Sequence, residues 1–90
     1  MSCSRTLEIT NRRGLHARAS AKFVTVAAGL PARVEVEKDG NRVCGTSIMG
    51  LMMLAASPGC SIRVTASGPE AGQAIAAIEQ LIATRFGEEV

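Results

Sequence analysis

The residue best suited to covalent chemistry is His16, the only histidine in a chain of 90 residues. It follows a Gly-Leu step and lies between arginines in residues 13–20, RGLHARAS. Helical spacing of apolar residues begins just after it, so free backbone N–H groups and the positive end of a helix dipole should surround the ring. Such a position favours an anion. We therefore expect a nucleophilic imidazole in a site that can stabilise an attached phosphoryl group.

A second segment, residues 43–62, contains no charged residue. Glycine, serine and proline interrupt it, so it lacks the continuous apolar run of about 18 or more residues that a membrane-spanning helix requires. Thr46 and Ser47 are typical N-cap residues. They predict a short helix from Ile48 to about Ala55, which Ser-Pro-Gly then ends.

This short helix carries apolar residues on two faces, of which only one can meet the rest of the core. One face consists of Ile48, Met49 and Met52, and the other consists of Leu51, Leu54 and Ala55. Taken by themselves, these residues favour a short helix that is buried in the core. Burial alone would then explain why residues 43–62 carry no charge, without any function for this segment.

The elements that must position these residues follow the order β-α-β-β-α-β-α. Alternation of apolar and polar residues predicts strands, and apolar recurrence at helical spacing predicts helices. The predicted strands cover residues 5–10, 32–37, 42–44 and 61–66, with a tight hairpin at Asp39-Gly40. The first two predicted helices cover residues 16–28 and 48–55. The third starts at residues 68–70, with Pro69 in its first turn, and carries an apolar stripe to Phe86. This order fits a two-layer α/β sandwich, followed by a frayed tail at residues 88–90.

Composition narrows the class of protein. The chain has the length of a single domain, residues 1–90, and its net charge of +2 and aromatic content of 2% argue against nucleic acid as a partner. The N-terminus lacks the features of a secretory signal, so we expect a cytoplasmic protein that does not insert into a membrane. Three cysteines without a C-x-x-C pair predict reduced thiols, with no metal site and no cofactor.

Two motifs resemble one known family. Residues 11–23, NRRGLHARASAKF, resemble the active-site segment of the HPr family, the histidine-containing phosphocarriers of the bacterial sugar phosphotransferase system. Residues 46–54, TSIMGLMML, resemble the regulatory-serine segment of that family. The predicted element order also matches. The resemblance implies an open-faced sandwich, in which three helices cover one face of a four-stranded antiparallel sheet.

The resemblance also implies a function, that of a phosphoryl-group carrier rather than a turnover enzyme. His16 would accept a phosphoryl group on Nδ1 from Enzyme I and pass it to EIIA proteins. Arg18 matches the family arginine, and its planar guanidinium can hold two phosphoryl oxygens. Ala17, Arg18 and Arg13 are the expected phosphate-binding residues. Ala19 departs from the family, which usually has proline there, so the start of the first helix is less rigidly set.

For the second motif the resemblance implies regulation and docking. Ser47 matches the serine that a dedicated HPr kinase/phosphorylase modifies in many bacteria. Ile48, Met49 and Met52 match an exposed face that docks on Enzyme I and EIIA, and adaptable methionines suit a monomeric carrier that meets several partners in turn.

Two other functions stay open on the sequence. The protein could be a regulatory phosphocarrier of a nitrogen-related branch that moves no sugar. It could also be a small interaction module whose histidine is incidental, in which case His16→Ala would leave its activity unchanged. An independent hydrolase is disfavoured because no second histidine or suitably placed acidic residue can serve as a base.

Overall fold

A computed structural model describes residues 2–87 of the chain. The fold is an open-faced α/β sandwich, as predicted, with one four-stranded antiparallel sheet in the order β1-β4-β2-β3 and three helices. The strands are β1 (Ser2–Glu8), β2 (Arg33–Lys38), β3 (Asn41–Cys44) and β4 (Ser61–Ser67), and the helices are α1 (Ala17–Ala28), α2 (Ile48–Met53) and α3 (Ala71–Ala83).

The sheet follows from alternation and from one tight turn. β1 pairs with β4, β4 with β2, and β2 with β3, all antiparallel. Asp39 and Gly40 both have positive φ, 53° and 82°, which is the geometry that a two-residue hairpin turn requires. The predicted hairpin between the second and third strands is therefore confirmed.

The core lies between the helices and one face of the sheet. Ile62 and Val64 of β4 and Val36 of β2 are almost fully buried, while their strand neighbours point away from the helices. α3 packs on β1 and β4, and α1 packs against both α2 and α3. Phe23 of α1 is fully buried in this core. The arrangement leaves the N-terminal end of α1 at an edge of the core.

The third helix differs from its prediction at both ends. Pro69 lies before the helix, because the chain first makes a turn in which the Ala71 N–H donates to the Gly68 carbonyl. The helix ends at Ala83, so Phe86 does not belong to its stripe. Phe86 reaches the core instead through a short 3-10 turn in which its φ is 56°.

Smaller differences concern boundaries and cysteines. The first strand lies at Ser2–Glu8 rather than residues 5–10, although Ile9 is buried as predicted. Cys3, Cys44 and Cys60 are free thiols, as predicted. Within residues 2–87 no helix is long and apolar enough to cross a membrane. The predicted tail at 88–90 lies outside the residues that the structure describes.

Candidate functional site

A tight turn precedes α1. The Gly14 N–H donates to the Asn11 carbonyl at 3.2 Å, and the Asn11 side-chain amide donates back to the Gly14 carbonyl at 2.8 Å. Gly14 has a φ of +64°, and a Cβ atom there would lie 2.2 Å from the Ala56 carbonyl oxygen. Only glycine fits both conditions. The turn leaves Arg12 and Arg13 exposed at its apex.

The same loop is tied to the segment that follows α2. The Leu15 N–H donates to the Ala56 carbonyl at 2.9 Å. Ile9 donates to the Cys60 carbonyl at 2.8 Å and accepts from the Gly59 N–H at 2.9 Å. The approach to α1 is therefore held by backbone hydrogen bonds to the 56–60 segment.

His16 is the N-cap of α1, one residue from the predicted helix start. Its backbone is extended, and Nδ1 accepts a hydrogen bond from the Arg18 N–H at 3.2 Å. Because Nδ1 accepts, its lone pair faces the N-terminal end of the helix, and in the neutral ring the proton lies on Nε2. The ring is half-buried. This combination presents a nucleophilic nitrogen beside the first amides of a helix.

The predicted phosphate-binding residues lie at the same end of α1. Ala17 and Arg18 are its first two residues, and both are exposed. Arg18 also borders a groove of about 350 Å³ between α1 and α3, in which Lys22 donates to the Phe86 carbonyl. Arg13 comes from the preceding turn. Exposed arginines thus lie in the segments on both sides of His16, in the preceding turn and in the first turn of α1.

α2 begins at the predicted N-cap. Ser47 Oγ accepts from the Gly50 N–H at 3.0 Å, and the Ser47 carbonyl accepts from Leu51. A Cβ atom at Gly50 would meet Ser47 Oγ at 3.1 Å and Val43 Cβ at 3.0 Å, so glycine allows the close packing of this turn. Ser47 itself is half-buried.

The structure decides which face of α2 is buried. Leu51 and Leu54 lie in the core. The exposed side chains form an apolar patch, and their exposed fractions are Ile48 40%, Met49 69%, Met52 40% and Met53 79%. The interpretation of a helix sunk in the core is therefore wrong, and the predicted exposed face is present, extended by Met53.

Ala55 is the exception to the predicted faces. It is exposed, has a φ of 53° and lies beyond the end of the helix at Met53. The helix ends early because the Leu54 and Ala55 N–H groups bond carbonyls three residues back, which tightens the last turn.

Cys60 lies in the segment after α2. The Ser57 hydroxyl lies 3.4 Å from Cys60 Sγ, and the hydrogen bonds from Ser57 lower the pKa of the Cys60 thiol.

Comparison with known proteins identifies the family of this chain. The family model described as the PTS HPr component phosphorylation site matches residues 3–84. The chain belongs to the HPr family. It is thus a phosphocarrier of the phosphotransferase system.

Relatives and solved structures agree with this assignment. The phosphocarrier protein HPr of Cupriavidus necator is 44% identical over 84 residues, which cover 93% of this chain and 94% of the relative. The crystal structure of HPr-C-His from Thermoanaerobacter tengcongensis has a TM-score of 0.93 at 42% identity, over 98% of this chain and 99% of that one. An HPr dimer from the same organism has a TM-score of 0.77 at 43% identity, over 91% and 94% of the two chains.

The sequence patterns predicted no role for two polar residues near His16. Asn11 and Ser20 are both fully buried, and both hydrogen-bond to backbone carbonyls that precede His16. Asn in a loop and Ser in a first helical turn indicate turns and caps in general. Their burial depends on how distant parts of the chain pack together, which no local pattern encodes.

Proposed function

We propose that His16 accepts a phosphoryl group on Nδ1 from phosphorylated Enzyme I and passes it to EIIA proteins. The observation that carries this proposal is the hydrogen bond from the Arg18 N–H to His16 Nδ1, which directs the nitrogen lone pair toward the N-terminal end of α1 in a chain of the HPr family. The protein would act as a carrier, in the cytoplasm, as one monomeric domain.

The transfer itself needs little from the carrier except position and neutralised charge. The Arg18 N–H first releases Nδ1, whose freed lone pair attacks phosphorus. The phosphorus–nitrogen bond of the donor's phosphohistidine breaks, and its electron pair returns to the donor's imidazole. Passage to EIIA repeats the exchange with His16 as the donor. No water is consumed, so the phosphoryl group keeps its transfer potential.

The residues around His16 would stabilise the bound group. A phosphoryl group brings about 1.5 to 2 negative charges. The amides of Ala17 and Arg18 lie at the start of α1, where a helix favours an anion. The exposed guanidinium of Arg18 can bind two phosphoryl oxygens, and Arg13 adds a cation from the preceding turn.

Docking would use the apolar patch, Ile48, Met49, Met52 and Met53. The Leu15–Ala56 hydrogen bond keeps the loop before His16 next to the segment that follows α2. A partner that covers the patch would therefore meet His16 as well. Ser47, at the other end of α2, would be the site that an HPr kinase/phosphorylase modifies to weaken this docking.

The experiment is a labelling assay. Incubation with Enzyme I and labelled phosphoenolpyruvate should give a label on the protein that is acid-labile and alkali-stable. His16→Ala should lose all of it, while Ser47→Ala, which removes the other N-cap, should keep it. Labelling of His16→Ala would place the phosphoryl group on another residue. Biological activity that survives this substitution would favour a small interaction module instead.

A further inference from the structure

Two buried polar side chains hydrogen-bond to the loop before His16. Within residues 2–87, Asn11 and Ser20 are the buried residues with polar side chains, both with no exposed surface. Burying a polar group is unfavourable unless it forms hydrogen bonds. Both side chains donate to the carbonyls of consecutive residues, Gly14 and Leu15. These carbonyls come directly before the proposed phosphoryl acceptor.

Ser20 holds the backbone on both sides of His16. Its hydroxyl donates to the Leu15 carbonyl at 3.2 Å, and its N–H donates to the His16 carbonyl at 2.8 Å. The first carbonyl belongs to the peptide unit before the His16 Cα atom and the second to the unit after it. One buried residue therefore restrains both dihedral angles of His16, which are −77° and −177°.

Asn11 restrains the turn that leads into residues 14–16. Its side-chain amide closes the turn across Arg12 and Arg13 by donating to Gly14. Since Gly14 packs directly against the Ala56 carbonyl, the turn cannot shift without disturbing the segment after α2. Asn11 and Ser20 thus act on adjacent peptide units from opposite sides, one from the loop and one from the helix.

Helix stability alone does not account for Ser20. Alanine is the better helix former, and it would avoid burying a hydroxyl. The hydroxyl instead satisfies a carbonyl that lies outside the helical hydrogen-bond pattern. The gain is in the orientation of the N-cap residue.

We propose that Asn11 and Ser20 are positioning residues for phosphoryl transfer at His16. They touch no phosphoryl group and act through the backbone of residues 14–16, by keeping the His16 ring at the start of α1, where Nδ1 can react once the Arg18 N–H releases it. The inference rests on the proposed function of His16. Misplacement of a reacting group by about 1 Å can cost two orders of magnitude in rate.

The test compares Ser20→Ala and Asn11→Ala with a control that destabilises the core from another element. Val36→Ala removes core volume from β2 and leaves the His16 loop untouched. The rate of phosphoryl transfer from phosphorylated Enzyme I is measured against the concentration of each variant. Ser20→Ala should lower kcat about tenfold or more, with KM within about twofold of wild type because the apolar patch is intact. Asn11→Ala should change kcat in the same direction.

A second readout does not depend on activity. Hydrogen exchange of the Arg18 amide, followed by NMR, should be faster in Ser20→Ala because Nδ1 no longer holds that amide steadily. Val36→Ala should leave it slow after correction for global stability. Equal kcat values in Ser20→Ala and the control, or a change in KM alone, would overturn the proposal.

Failure of the proposed function gives a different result. If wild type takes up no phosphoryl group, the role of His16 as acceptor is wrong, and the Arg18 amide still reports whether Ser20 holds the N-cap. If wild type is phosphorylated and the kcat of Ser20→Ala equals that of the control, the positioning role alone is wrong.

Discussion

Within residues 2–87, two helix N-caps have side chains that accept a hydrogen bond from a backbone amide, and the side chains near them differ. At α1, His16 Nδ1 accepts from the second residue of a helix of 12 residues. At α2, Ser47 Oγ accepts from the third residue of a helix of six. Both positions favour a negative charge for the same reason, since free N–H groups and the helix dipole meet there.

The difference lies in the neighbouring side chains. Arg12, Arg13 and Arg18 surround the His16 position in the chain, whereas residues 43–62 carry no charge at all. A phosphoryl group on His16 would therefore be compensated by cations. The same group on Ser47 would stand beside the apolar patch that a partner has to cover. Two extended N-caps with different neighbours thus support the proposed carrier site at His16 and the proposed inhibitory site at Ser47.

The largest effect is expected on stability, from a substitution in the loop before His16. Gly14→Ala should destabilise the fold by about 3 kcal/mol, because the new Cβ atom would overlap the Ala56 carbonyl and the backbone has positive φ. Gly40→Ala is the control, since it shares the positive φ but has open space around it, and it should cost about 1 kcal/mol. Urea denaturation measures both. Equal losses would contradict the close packing of the His16 loop against the segment after α2.

The second effect tests the Ser47 side. Ser47→Asp should keep the fold, since Asp is a good N-cap, and should lower the rate of His16 phosphorylation by Enzyme I about tenfold at limiting concentration. The cause is a charge that the docking partner must desolvate. Ser47→Asn keeps the cap without the charge and should react like wild type. An equal rate for Ser47→Asp and wild type would refute a regulatory role for charge at this cap.

The smallest effect compares the two caps as caps. Ser47→Ala should cost about 1 kcal/mol of stability, as expected for loss of a serine N-cap. His16→Ala should cost roughly half of that or less, because the ring is half-exposed and imidazole is not among the preferred capping groups. Thermal or urea unfolding of the two variants gives the order. The reverse order would mean that His16 is retained mainly for stability.

Local sequence features determined much of this molecule. Alternating strands, the Asp39-Gly40 turn and the capping residue Ser47 are encoded within a few residues, because strand faces, turn dihedrals and cap bonds depend on near neighbours. The position of His16 at the first helix start is of the same kind. Its proposed role as the phosphoryl carrier needed the family resemblance, since a lone histidine at a cap has no unique chemistry.

Other features were decided only by tertiary structure. The burial of Leu51 rather than Met49, the exposure of Ala55 and the return of Phe86 to the core all depend on which surfaces meet across the fold. The same holds for Asn11 and Ser20. Their side chains are buried and hydrogen-bond to the loop before His16, and this burial comes from contacts between distant parts of the chain, which leave no periodic signal in its sequence.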